Sequence, residues 1–208
     1  RGVLDNLFYQ TAPRSAPGKG EIELRVHATG LNFRDVLNAL GMYPGDPGAL
    51  GGECAGVVTA VGEGVTQFQI GDEVLALGAG CFSAYVITRA DWCAPKPASL
   101  NFAEAATIPI PFLTAYYGLH QLAHLKAGER VLIHSAAGGV GVAATQLAQQ
   151  MGAEIFGTAS TGKWEFLKAN GVQHIMNSRT LEFAEQVIQR TNGAGVDIVL
   201  NSLAEDFI

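Results

Sequence analysis

Polar and apolar residues alternate over Glu21-Ile22-Glu23-Leu24-Arg25-Val26-His27-Ala28, the period-two pattern of a half-buried β-strand. Gly56 to Gly62, Gly71 to Gly78 and Ala84 to Ile87 are further strand candidates, rich in Val, Ile and Leu and bounded by turn residues. Strands recurring at intervals of about twelve residues predict a small β-barrel or sandwich. One helix is expected inside it, from Arg34 to Leu40, stopped by Gly41. Beyond Pro95-Lys96-Pro97 the period changes. Helices are predicted over 101–107 and 112–125. Strands then alternate with helices: strand 130–135, helix 139–152, strand 154–158, helix 163–170, strand 174–177, helix 181–191 and strand 196–200. Such β-α-β-α alternation predicts a doubly wound parallel sheet. The expected organisation is a β-rich domain over 1–98 and a nucleotide-binding domain over 99–208.

Composition narrows the class. Apolar residues are 48% of the 208, charged residues only 15%, and glycine numbers 26. A disordered chain would show more charge and fewer apolar residues. The glycines therefore belong in turns and at close backbone approaches. The net charge of −6 and the absence of any basic run argue against a nucleic-acid partner. The stretch from Val131 to Ala153 lacks charged residues, but its glycines, glutamines, serine and histidine make it a poor membrane span. The early acid Asp5 and the lack of an apolar stretch make the first residues unlike a secretory leader. Three cysteines without short spacing fit a reducing compartment, so a cytoplasmic location is expected. No metal is expected, because no pair of cysteines has ligand spacing.

The strand ending at Ser135 runs into Ala136-Ala137-Gly138-Gly139-Val140-Gly141 and a helix. Aligned on Gly141, this is a G-x-G-x-x-G turn with Ala136 in the first position. Its strand-turn-helix setting is the one a dinucleotide fingerprint requires. Gly138 lets a pyrophosphate approach, Gly141 lets the helix pack close to the sheet, and Gly139 and Val140 begin the helix whose N–H groups face the anion. NAD sites usually carry an acid at the end of the second strand. Here the segment is Thr158-Ala159-Ser160-Thr161-Gly162-Lys163, without one. Lys163, Arg179 and the hydroxyls of Thr158 and Ser160 suit a 2′-phosphate, which points to NADPH. Asn201, after the fourth strand, is placed where such folds contact ligands.

A β-rich domain followed by this nucleotide-binding pattern resembles the medium-chain dehydrogenase/reductase superfamily. Zinc members of that superfamily carry a Gly-His-Glu segment, and here it reads Gly51-Gly52-Glu53, with Gly52 in the place of the metal-binding histidine. Gly2 to Leu7, Gly30-Leu31-Asn32-Phe33-Arg34-Asp35-Val36-Leu37, Leu40 to Gly45, His134 to Gly141, Thr158 to Trp164, Ser178 to Leu181 and Leu200 to Ala204 together resemble the enoyl reductase domain of modular polyketide synthases. The resemblance implies a GroES-like catalytic domain and a Rossmann NADPH domain. It also implies reduction of an α,β-unsaturated thioester carried on the phosphopantetheine of an acyl carrier protein, beside neighbouring synthase domains. A free-standing quinone or enone oxidoreductase, or an NADPH-binding module without turnover, are the alternatives.

The implied chemistry adds a hydride to the β-carbon and a proton to the α-carbon. A tyrosine at the place of Tyr43 is proposed as proton donor in that family, and a phenol is protonated at neutral pH. A packing role in the Met42-Tyr43-Pro44-Gly45 turn is the alternative. Asn32 is expected to face the nicotinamide or ribose, or else to cap the helix. Arg34 and Asp35 are expected to pair on that helix, Glu53 has no assignment, and His134 reads as a core histidine. Trp92 and Trp164 are expected to pack, and His174 to lie at the surface. The family's other proposed donors, a lysine and an aspartate, fall after Leu203. Only four of six expected sheet strands occur, roughly 100 residues short at ordinary βα lengths, so the chain alone is expected to be inactive.

Overall fold

A computed structural model describes residues 2–202, and Leu203 and Ala204 of the last family segment lie outside them. The chain divides into two compact units, up to Ile110 and from Pro111 onward. The division therefore falls after Ile110 and not after Ala98. The reason is α2 (Phe102–Ala105): its Ala105, with the following Ala106, packs on Ala55 of the first unit, and Phe102 stacks on His27 with ring centroids 4.4 Å apart.

In the first unit the strands are β1 (Glu21–Thr29), β2 (Glu53–Val61), β3 (Glu73–Leu77), β4 (Tyr85–Arg89) and β5 (Cys93–Pro95), with α1 (Phe33–Ala39) after β1. They form an antiparallel sheet in the order β4-β1-β2-β3-β5. The predicted strands and helix all appear. β5 was not foreseen, because it includes Pro95, opposite Val74. Proline donates no ladder hydrogen bond but is tolerated at a sheet edge, which is where β5 lies. The inward residues Ile22, Leu24, Cys54, Val58, Val74, Ala76, Cys81 and Val86 make the core.

One polar residue of the alternating β1 is not on a wet face. Glu23 is 3% exposed. Arg14 grips it from the segment before β1, Nε to Oε1 at 3.0 Å and Nη2 to Oε2 at 2.5 Å. Thr59 also donates to Oε2 at 2.6 Å, and Arg14 lies over the Tyr85 ring at 3.8 Å. Its hydrogen bond to Arg14 holds the Glu23 carboxyl below the usual carboxylate range. This contribution is present above the unfolded carboxylate value of about 4.3 and is lost as pH falls through the lowered native value. An Arg14→Met variant strands the carboxylate in a dry site. Its Tm at pH 7 is expected to drop by several degrees, with the difference from wild type shrinking below about pH 4. Equal Tm values at pH 7 would show the clip to be idle.

In the second unit, α3 (Pro109–Tyr116) begins at the junction and continues as a π-helical turn over Tyr117–Leu122. Then follow β6 (Arg130–Ile133), α4 (Gly139–Gln150), β7 (Glu154–Ala159), α5 (Trp164–Ala169), β8 (His174–Asn177), α6 (Glu182–Arg190) and β9 (Ile198–Leu200). The strands are parallel in the order β8-β7-β6-β9. The continuous apolar run of β6 is explained by burial of both faces. Val131 and Ile133 meet Ala143, Ala144 and Ala148 on one side. Leu132 meets Phe156, Met176, Phe183 and Val187 on the other. No helix among the described residues is long and apolar enough to cross a membrane.

Candidate functional site

The carboxyl ends of β6 and β9 adjoin where the strand order reverses, and this is where doubly wound sheets bind ligands. The glycine-rich turn starts there. Ser135 has φ 52°, and Gly138 is the N-cap of α4, its N–H bonded to Ser135 O at 2.8 Å. Val142 N–H closes on Gly138 O at 2.8 Å, so the N–H groups of the first α4 residues are left without intrahelical partners. Gly139 and Val140 are there. Gly141 is obligatory on steric grounds. A Cβ on it would stand 2.3 Å from Ser135 O and 2.6 Å from Ala136 Cα. The cradle therefore has both properties a pyrophosphate needs, free donors and no side chain in the way.

Two expected contacts are placed differently. Ala136 is fully buried, and its N–H is taken by Thr158 O at 2.9 Å. Thr158 is also fully buried. Its hydroxyl lies 3.0 Å from His134 Nδ1 and accepts from Ser135 N–H at 3.4 Å. Both residues support the turn from beneath, because their neighbours in the sheet already use their polar groups. His134 is a core histidine as expected, and burial keeps its pKa low.

Ser160, half-buried, follows β7 and leads into a single 3-10 turn over Thr161–Lys163. Lys163 and Arg179 are exposed. They follow adjoining strand ends, since Ala159 pairs with Asn177 and Ser178 N–H bonds to Ala159 O at 3.1 Å. Trp164 fastens this edge, its indole N–H donating to Ala159 O at 3.1 Å. Trp92 differs from expectation and is half exposed, with Arg89 over its ring. His174 is not a lone surface residue either. It begins β8, bonds Glu154 at 2.7 Å and stacks on Phe156. Asn201 directly follows β9.

In the first unit, Asn32 is the N-cap of α1. Its backbone N–H donates to Asp35 Oδ2 at 3.0 Å, while its side-chain Nδ2 donates to Glu53 Oε1 at 2.7 Å. The other Glu53 oxygen accepts from Ile110 N–H at 2.7 Å. Glu53 is 1% exposed, and burial pushes its carboxyl above the usual range, against the two hydrogen bonds that lower it. The site is built around this group: a Cβ on Gly30 would come within 2.3 Å of Oε1. Sequence reasoning left Glu53 unassigned. The glycines on either side of the contact, Gly30 and Gly52, were the available signal.

Arg34 and Asp35 do not pair. Asp35 is buried and accepts from Gly51 N–H at 2.8 Å. Arg34 turns instead toward the segment bearing Tyr43, which is half-buried. No group of three or more His, Cys, Asp and Glu among the described residues could hold a metal ion. Two of the thiols, Cys81 and Cys93, are biased toward the neutral form. The neighbouring Cys54 and burial push Cys81 far up, and burial pushes Cys93 up to about 12.

Residues 18–98 match the alcohol dehydrogenase GroES-like domain, and residues 139–208 match the zinc-binding dehydrogenase domain. The chain is 52% identical over 193 residues to pikromycin polyketide synthase component PikAII of Streptomyces venezuelae, covering 92% of this chain and 5% of that protein. The solved CurK enoyl reductase superposes with a TM-score of 0.95 at 52% identity, over 99% of this chain and 66% of that one. The CurF cyclopropanase of the curacin A pathway gives 0.90 at 45% identity, over 98% and 65%. A mycobacterial protein, Rv1454c, solved with NADPH, gives 0.86 at 31% identity, over 95% and 63%.

Proposed function

The chain belongs to the medium-chain dehydrogenase/reductase superfamily, in the branch of the polyketide synthase enoyl reductases, and from that membership we propose that it takes part in NADPH-dependent reduction of an enoyl thioester. The observation that carries this reading is the cradle at α4, with free N–H groups beside a β7 end that holds Lys163 and no carboxylate. A carboxylate there would repel a 2′-phosphate, while Lys163 and Arg179 attract it. When bound, NADPH supplies a hydride to the substrate β-carbon. The electrons of the double bond then move onto the thioester oxygen, and the α-carbon takes a proton.

Residues of this chain have distinct parts in that scheme. Gly138, Gly139, Val140 and Gly141 seat the pyrophosphate, with Ala136 and Thr158 holding the turn. Ser160, Lys163 and Arg179 select the phosphorylated ribose, and Asn201 contacts the cofactor from the end of β9. Asn32 orients the nicotinamide side, and Tyr43 gives the proton. The acyl chain arrives on the phosphopantetheine of an acyl carrier protein belonging to the same synthase. The unit up to Ile110 carries the catalytic role and the unit from Pro111 onward the cofactor role.

The test, run in an enoyl reductase domain of full length that carries these 208 residues, is NADPH oxidation with a short trans-2-enoyl thioester, with a quinone, and with neither. Oxidation driven by the thioester supports the reading. Oxidation with quinone alone, or binding without turnover, overturns it. Replacing Lys163 or Arg179 by alanine is expected to weaken NADPH binding about 10- to 100-fold, since one charge-assisted bond contributes about 1.5–3 kcal/mol. NADH binding is expected to stay level. A second fate of the same enolate, ring closure with loss of a γ-leaving group, is favoured by the 45% identity to the CurF cyclopropanase. A γ-chloro enoyl thioester separates the two by product mass.

A further inference from the structure

We propose that Arg34 is the positioning residue for Tyr43, a role that rests on reading Tyr43 as the proton donor. Arg34 occupies the second residue of α1. Its Nη2 donates to Pro47 O at 2.8 Å, and its guanidinium carbon lies 5.3 Å from the centre of the Tyr43 ring. One side chain thus touches both limbs of the turn that carries the phenol. Among the described residues, no carboxylate lies within ion-pair distance of Arg34. Its neighbour Asp35 is engaged with Gly51 and Asn32, so the cation is left to the ring and the carbonyl.

The turn places the half-buried Tyr43 ring against Arg34. Its backbone is well tied: Met42 N–H and Tyr43 N–H both donate to Leu37 O, at 2.8 and 3.2 Å, and Asn38 Nδ2 donates to Gly48 O at 3.1 Å. Pro47 is buried, but the rest of the turn is open. Gly41, Gly45 and Gly48 have positive φ, a Cβ on Gly45 would meet nothing within 4 Å, and Met42 is 66% exposed. Backbone ties set where the Cα of Tyr43 stands but not its χ1 rotamer. A guanidinium held at one end by a carbonyl and lying against the ring supplies that restraint, because the planar fork binds and stacks at once. A phenol delivering a proton to one face of a planar α-carbon needs such a restraint, since rotation of the ring would offer the proton from another direction or not at all.

The experiment uses Arg34→Ala, Arg34→Lys, Tyr43→Phe and the double variant Arg34→Ala/Tyr43→Phe, each in the same full-length enoyl reductase domain and assayed with an α-methyl enoyl thioester. Expected are a fall in kcat of about tenfold for Arg34→Ala, an unchanged KM for NADPH, and mixed α-configuration in the product. The double variant is expected to be no worse than Tyr43→Phe, because the two changes remove one function. Arg34→Lys, which keeps the cation but not the fork, should recover part of both readouts. In parallel, 3-fluorotyrosine at position 43 reports the ring directly by 19F NMR. Its shift is expected to move toward the solvent-averaged value in Arg34→Ala. Additive losses in the double variant, or an unmoved 19F shift, overturn the positioning role even if enoyl reduction is confirmed. Retained configuration in Tyr43→Phe removes the donor reading, and the positioning role with it. Absence of enoyl reduction in wild type removes the activity alone and leaves the 19F shift to decide about Arg34.

Discussion

A Gly141→Val variant is expected to lose NADPH binding by on the order of 100-fold or more and to melt well below wild type. The added Cβ would lie 2.3, 2.6 and 2.7 Å from Ser135 O, Ala136 Cα and Ala136 C. All three are backbone atoms, so no rotamer change relieves the contact. Overpacking of this kind costs about 1–3 kcal/mol and at times more. The helix must also move off the turn, which misaims the donors at its start. Two charge-assisted bonds at about 1.5–3 kcal/mol each account for the affinity loss. Gly139→Ala is the control for the melt alone, because a Cβ there meets only Pro111 Cγ, at 3.8 Å. Fluorescence titration with NADPH and a thermal melt measure both effects. Wild-type affinity in Gly141→Val would refute the assignment of the cradle.

Glu53→Leu is expected to cost activity as well as stability. It leaves two donors, Asn32 Nδ2 and Ile110 N–H, without their acceptor, at about 1–3 kcal/mol each if no water replaces it. Against this, it removes a carboxyl whose burial opposes ionisation. The relief only partly offsets the loss of the shared acceptor, so some loss of stability is expected as well. The orientation of Asn32 has no such compensation. A misplacement of about 1 Å can cost roughly 100-fold in rate, and a loss of that order in kcat/KM is expected. There is also a pH signature. The native carboxyl keeps its proton to higher pH than a solvated one, so wild type loses stability as pH rises from about 4.3 through the raised native value. Glu53→Leu should not show this slope. Full activity in that variant would sink the idea that Asn32 needs Glu53.

Most of the nucleotide-binding unit could be read in advance. The apolar run of β6, the turn from Ala136 to Gly141 and the missing acid after β7 are each contiguous and have a single physical meaning. Errors arose where a residue's local pattern and its surroundings disagree. Glu23 alternates like a surface residue yet is dry, because Arg14 reaches it from the preceding segment. Thr158 sits where a phosphate contact would be expected, yet its hydroxyl faces His134. Pro95 signals a break, yet the edge of a sheet accepts it. The candidate catalytic cluster was the least legible part. Asn32 and Tyr43 were found by resemblance, and Glu53 had no assigned partner until the strands were in place.

The sequence by itself determined the order of elements, the split into a β-rich and a doubly wound unit, and the glycine-rich turn. Those depend on periodicity and on backbone freedom, which are properties of neighbouring residues. The tertiary structure alone decided which polar groups work together. Glu53 meets Asn32 across 21 residues and Ile110 across 57, and Arg34 meets the turn of Tyr43 by folding back along α1. No periodicity encodes such pairs. They exist because the core fixes β2 and α1 at hydrogen-bonding distance, and because buried polar groups must then find partners there.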